Sequence, residues 1–120
     1  MSFIWAEFLT IANYLYQEDH GLPQEAAFRS AVSRAYYAAF RHARDFAQKY
    51  QHYSPKGSGE DHYFLINHFK NRKEIRIGID LDTLRKDRDQ CDYDAVVNNL
   101  DSIAQDSLTR AAKIINSLNK

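Results

Sequence analysis

Residues 81–94, Leu-Asp-Thr-Leu-Arg-Lys-Asp-Arg-Asp-Gln-Cys-Asp-Tyr-Asp, hold the densest set of groups able to do chemistry. On a helix, Leu81, Leu84, Arg88 and Cys91 share one face, which turns Arg88 toward the apolar side. An arginine there is costly unless it is paired. Asp92 stands four residues on and can pair with it, as Asp89 can with Arg85. Two readings stay open on spacing alone. Arg88 is either half of a helix-stapling ion pair, or an inward-facing guanidinium whose planar fork grips a phosphate. His62, on the apolar stripe of a second segment, is either a hydrogen-bonded core histidine or a proton carrier. Ser30, Arg34, Tyr37, Arg41 and Gln48 fall on one polar stripe of a third segment, which is solvated or faces a partner or anionic ligand.

Several other chemistries are excluded. The chain has no Glu-x-x-His, so the di-iron bundle motif is absent. No two histidines stand three or four residues apart, which removes the usual helical zinc pair. Gly57-Ser58-Gly59 lacks the Lys-Ser/Thr that completes a phosphate-cradling P-loop. Cys91 lacks a nucleophile's surroundings in sequence and reads as a small core residue. Neither a metal nor a cofactor is expected.

Helices must position these groups. The first is expected over residues 3–18, with Ile4, Trp5, Phe8, Ile11, Ala12, Leu15 and Tyr16 on one stripe and His20-Gly21 as its stop. A long second helix starts near Pro23 and continues to about Tyr50. Its apolar face carries Phe28, Val32, Ala35, Tyr36, Ala39, Ala43, Phe46 and Tyr50, with Ala31 and Ala38 beside it. Residues 53–59 form a loop. The third helix follows, with Ser58 and Asp61 as a variant capping box and His62, Leu65, Ile66 and Phe69 as its stripe. Ile75-Arg76-Ile77-Gly78-Ile79 alternates like a strand, has no partner strand, and reads as an extended connection. A short helix over 82–91 and a last one over 94–119 complete the chain. The last stripe runs through Val96, Val97, Leu100, Ile103, Ala104, Leu108, Ala111, Ile114, Ile115 and Leu118. The expected fold is all-α: one domain over 1–120, an up-and-down antiparallel bundle of four main helices plus one short helix.

Composition agrees. With 120 residues, 44% apolar and 27% charged, the chain suits one globular domain. Its 16 basic and 16 acidic residues cancel, which excludes a generic polybasic nucleic-acid coat. The charges are nonetheless segregated. Arg29, Arg34, Arg41, Arg44 and Lys49 follow an N-terminal stretch without Lys or Arg, and 87–106 carries six Asp against Arg88. A lone cysteine makes no internal disulfide, so a reducing, cytoplasmic setting is expected. No apolar run reaches the ~18 residues of a membrane span, and the first residues lack the basic region of a signal peptide.

Ala27-Phe28-Arg29-Ser30-Ala31-Val32-Ser33-Arg34-Ala35-Tyr36-Tyr37-Ala38-Ala39-Phe40 resembles the second helix of small bacterial and archaeal HEPN-domain proteins. The resemblance extends to His62 opening the third helix and to Leu84-Arg85-x-x-Arg88-x-x-x-Asp92-Tyr93-Asp94 before the last. It implies a helical bundle that is usually a homodimer. It also implies metal-independent endoribonuclease chemistry, in which a motif arginine holds the scissile phosphate and a histidine a few residues later moves the proton. A minimal nucleotidyltransferase antitoxin is the implied partner. This chain departs from that signature. The position for the histidine after Arg88 is occupied by Tyr93, and no histidine follows His68. A phenol is a poor base at neutral pH, although it can hydrogen-bond a phosphate. The first expectation is therefore a dimeric HEPN-type protein of a toxin–antitoxin or defence-like system, binding RNA or a nucleotide around Arg88. Arg34, Tyr37, Arg41, Arg85 and Asp92 are its candidate ligand contacts, with catalysis either retained or lost. An active ribonuclease using Arg88, Tyr93 and His62, and a non-enzymatic partner-binding bundle, are the alternatives.

Overall fold

Small side chains on the second helix set the architecture. In α2, Gln24–Tyr50, alanines at 31, 35, 38, 39 and 43 point to different sides of the helix, and all are fully buried. Such a helix can be approached closely from several directions. The computed structural model describes residues 3–17, 19–57 and 59–119, and all regular structure among them is helical. The other helices are α1 (Glu7–Tyr16), α3 (Asp61–Lys70), α4 (Ile75–Tyr93) and α5 (Leu100–Ser117). Helices α1, α4 and α5 all pack on α2.

Named contacts give the directions. Arg29 near the start of α2 reaches carbonyls at the end of α4, and Gln51 after α2 bonds Glu74 before α4. These two helices are antiparallel. Trp5 and Phe8 lie against Arg41 and Arg34, whereas Tyr16 lies against Phe28, so α1 is antiparallel to α2. Arg110 pairs with Asp80, and Cys91 clusters with Ala104, so α5 runs antiparallel to α4. The four longer-range partners thus alternate up and down. Tyr36, Leu65, Phe69, Leu81, Leu84 and Ile114 are fully or almost fully buried at the centre. Tyr16 also bonds Asp101 at 2.5 Å, tying the end of α1 to the start of α5.

The segment expected to be an extended connection is helical: α4 begins at Ile75 and has 19 residues, so it is not the short helix. The alternation misleads because Ile75 and Ile79 are exposed one turn apart, while Ile77, Gly78, Leu81 and Leu84 make the buried stripe. Gly78 admits no side chain. A Cβ there would stand 2.6 Å from Lys70 Cγ and 2.9 Å from the Ile66 carbonyl oxygen, so α4 lies directly on α3. The last helix also starts later than its stripe suggests. Val96 is exposed in the α4–α5 connection, and Asn99 before α5 takes a left-handed φ of 59°. The Arg29 guanidinium holds the carbonyls of Cys91, Asp94 and Ala95 at 3.0, 2.6 and 3.1 Å, which fixes that connection outside the helix. It also places a cation at the negative end of α4.

At the N-terminus, the expected stripe is only partly inward. Ala12 is buried, but Ile4 and Ile11 are exposed. Glu18, the expected end of the first helix, lies outside the described residues, as does Ser58 of the capping box. Asp61 itself is buried and accepts backbone N–H groups of Lys56 and Gly57, so it ties down the loop that precedes it.

Candidate functional site

Three helices converge on Arg88. It lies on α4 between Leu84 and Cys91, both buried, and its side chain is only 11% exposed. The guanidinium carbon stands 5.2 Å from the Tyr36 ring and 5.5 Å from the Tyr37 ring, both on α2. Its terminal nitrogens meet Asp89 at 3.1 Å and Asp92 at 3.6 Å. The ion pair and the inward-facing guanidinium, set against each other on spacing, therefore coexist. Two tyrosine faces and two carboxylates together offset the cost of withdrawing the charge from water.

His62 is brought to the same junction from α3. Its ring stacks on Phe40 with centroids 4.4 Å apart and on Tyr36 at 5.5 Å. The Tyr36 hydroxyl is hydrogen-bonded to His62 Nδ1. Burial pushes the Tyr36 phenol well above its ordinary range, with Arg88 opposing, so it stays protonated. A buried hydroxyl proton needs an acceptor, and His62 Nδ1 is the partner present. Tyr36 therefore donates, which puts the proton of the neutral imidazole on Nε2. Burial, Arg88 and Arg85 in turn hold His62 below 6.5. At neutral pH the ring is thus uncharged, and its second nitrogen is a donor rather than a base.

Arg85 lies one turn before Arg88 and is more open. It pairs with Asp82 and Asp89, each at 3.5 Å. With Lys86, Asp89, Gln90, Tyr93 and Asp94 it borders a shallow depression of about 510 Å³. Tyr93, the last residue of α4, is 77% exposed on that rim. Among the described residues it shares no hydrogen bond or ring contact with Arg88 or His62.

The remaining expected residues divide. Tyr37 stays with Arg88, as the ring contact shows. Arg34 and Arg41 turn toward α1 instead: their guanidinium carbons lie 5.2 Å from the Phe8 centroid and 3.9 Å from the Trp5 centroid. Tyr36 is the group that sequence reasoning missed, because it sits on the apolar stripe of α2 and reads as core. Its signal was a phenol in the middle of a face made there of Ala, Val and Phe, since a buried Tyr usually finds a partner for its hydroxyl. Cys91 is buried, and its burial pushes the thiol up to about 11, which leaves it unreactive. No group of side chains among the described residues is arranged to hold a metal ion, and no helix among them is long and apolar enough to cross a membrane. No family model matches the chain, and neither a curated protein nor a solved structure matches it.

Proposed function

We propose that this chain is a HEPN-type protein of a toxin–antitoxin or defence-like system. It acts in the cytoplasm as a homodimer and binds the phosphate of RNA or a nucleotide around Arg88 without cleaving it. The observation that supports binding over cleavage is the Tyr36–His62 pair beside Arg88. It offers an incoming phosphate a cation and an N–H donor, and it supplies no base. Arg85, Lys86 and Tyr93 border an open depression whose rim includes Asp89, the carboxylate paired with Arg88. The resemblance in residues 27–40 and 84–94 supports the family, and the lone buried cysteine supports a reducing compartment.

The test is incubation of the purified protein with labelled RNA in EDTA. Binding with intact RNA is expected. Arg88→Ala should abolish binding while the protein stays folded, and Arg88→Lys should restore little, because an ammonium lacks the fork. Full binding by folded Arg88→Ala removes the assignment. Light scattering is expected to give a dimer, against the 14.0 kDa of one chain. Expression with and without a neighbouring nucleotidyltransferase gene, scored for growth arrest, tests the partner.

The ribonuclease reading has one observation in its favour. His62 is held below its ordinary value and so is unprotonated at neutral pH, the state a general base needs. It would require Tyr36 to release its hydrogen bond. Metal-independent cleavage, lost in both Arg88→Ala and His62→Gln, would establish it.

A further inference from the structure

The outer face of α2 is the floor of a second cleft, which shares no residue with the depression beside Arg85. Ser30, Ser33 and Arg34 stand at i, i+3 and i+4 on that face, so their side chains are neighbours. Cys91 and Asp92, at the end of α4, border the same cleft, as does Arg29. Its volume is about 400 Å³, within the range of small-ligand sites. Ser30 and Arg34 are exposed and Ser33 is half-buried, so solvent reaches all three. None of them makes a side-chain hydrogen bond or an ion pair among the described residues. The Arg34 guanidinium faces only the Phe8 ring, a contact that positions the cation and leaves its N–H edge unused. Arg29 differs, because its N–H groups are taken by the carbonyls of Cys91, Asp94 and Ala95.

The α2 side of this cleft offers a free cation and two hydroxyls, which suit a phosphate. The α4 side offers a carboxylate, which a bare anion would meet unfavourably. A ligand that fits both sides carries an anionic group at one end and hydrogen-bond donors at the other. Asp92 already has Arg88 at 3.6 Å from its Oδ2, and its Oδ1 makes no hydrogen bond among the described residues. With its charge balanced in this way, it calls for neutral donors rather than an ammonium. We propose that the α2–α4 cleft binds a ribose phosphate, the sugar–phosphate unit of a ribonucleotide. The phosphate lies on Arg34, Ser30 and Ser33, and the ribose hydroxyls donate to Asp92. A carboxylate that accepts from a ribose hydroxyl is the device by which dinucleotide sites select their sugar. The inference rests on the reading given for Arg88 for its ligand class, and it adds a subsite on the other side of Asp92.

Titration calorimetry with uridine 5′-monophosphate, its 2′-deoxy analogue and phosphoethanolamine tests the site. The ribonucleotide is expected to bind about tenfold tighter than the deoxynucleotide. Arg34→Gln, at an exposed position, should weaken both about tenfold, and Ser33→Ala, which keeps every charge, should weaken both about threefold. Asp92→Ala should bring the ribonucleotide down to the level of the deoxynucleotide without weakening the latter. Equal affinity for the two nucleotides in the native chain, or tighter binding of phosphoethanolamine, overturns the site. The reading given for Arg88 fails separately. RNA binding lost in Arg88→Ala, with the mononucleotide untouched by Arg34→Gln, overturns the cleft and leaves that reading standing. A mononucleotide weakened by Arg34→Gln, with RNA binding unchanged in folded Arg88→Ala, removes that reading and leaves the cleft as the ribonucleotide site. A 5′-phosphorylated oligouridylate then identifies the source of the ligand. Tighter binding than the mononucleotide, lost in Arg34→Gln, names an RNA strand, and weaker binding names a free nucleotide.

Discussion

The arginines of α4 and those of the middle of α2, Arg34, Arg41 and Arg44, live in opposite surroundings. On α4, Arg76, Arg85 and Arg88 each meet at least one carboxylate of the same helix, and the buried Asp80 takes Arg110 from α5 at 2.5 Å. At the start of α2, Arg29 pairs with Glu25, but farther along Arg34 and Arg41 meet aromatic rings of the α1 region, and Arg44 makes no ion pair among the described residues. The chain is neutral in sum, so the difference is one of placement. Acidic residues interleave with the basic ones along α4, and they are almost missing between Glu25 and Glu60, where Asp45 stands alone. Positive charge on α4 therefore serves mainly to join and order helices. At Arg34 and Arg41 it is held in position by rings that shape it without cancelling it, which leaves its attraction for an anion intact.

The strongest way to break this contrast is at Asp80. Arg110→Ala leaves that buried carboxylate with only the exposed Arg76, and it should cost about 3–5 kcal/mol in a denaturant titration. A loss below about 1 kcal/mol would mean that α4's pairs do not hold the bundle together. Tyr36→Phe comes next. It strands His62 Nδ1 and should cost about 1–3 kcal/mol. The same substitution frees the imidazole to change tautomer, so an NMR readout of the ring nitrogens should change with it.

Acid supplies a third test. His62 is lowered by burial, Arg88 and Arg85, and His68 by burial and Arg72. Both values lie below 6.5 in the folded state, so the unfolded chain binds protons first. Stability is full above pH 6.5 and falls as the pH drops from there until the folded-state values are passed. The slope can reach about 1.4 kcal/mol per pH unit for each histidine. His62→Gln should remove its share, and an unchanged slope would contradict the buried junction. On the α2 side, Trp5→Leu should cost only about 0.5–1 kcal/mol, the worth of one cation–π contact near the surface. Asp92→Ala should have the smallest effect, about 0–1 kcal/mol, because Arg88 keeps Asp89 and two rings, and Asp92 itself is 29% exposed. A larger loss would identify Asp92 as the partner on which Arg88 depends.

The helical class was legible because its signals repeat: stripes at 3.6-residue spacing, few glycines and one obvious loop. The Arg88–Asp92 and Arg85–Asp89 pairs were legible for the same reason, being separated by one helical turn. What spacing could not reveal is contact between helices. Helix α4 runs unbroken through Gly78 where the Ile-x-Ile-x-Ile alternation suggests extension, and there the backbone of α3 lies directly against it. Arg29 ends α4 from sixty residues away, which displaces the start of α5 from Asp94 to Leu100. The Tyr36–His62 bond likewise joins a residue read as core to one left open between core and chemistry. Arg44 was visible three residues after Arg41, but its lack of a counter-ion is a property of the assembled surface.

Gly78 also works as the fulcrum of a lever. Helix α3 carries His62 and α4 carries Arg85 and Arg88, and the two helices touch most closely where Gly78 meets Ile66 and Lys70. Arg88 stands ten residues farther along, an arm of about 15 Å. Any side chain at 78 wedges the pivot by a fraction of an ångström, and the tilt is multiplied along that arm before it reaches the guanidinium. Alignment of the histidine with the arginines is therefore set by the absence of an atom more than a helical turn from either. Gly78→Ala should misplace the junction well before it unfolds the bundle.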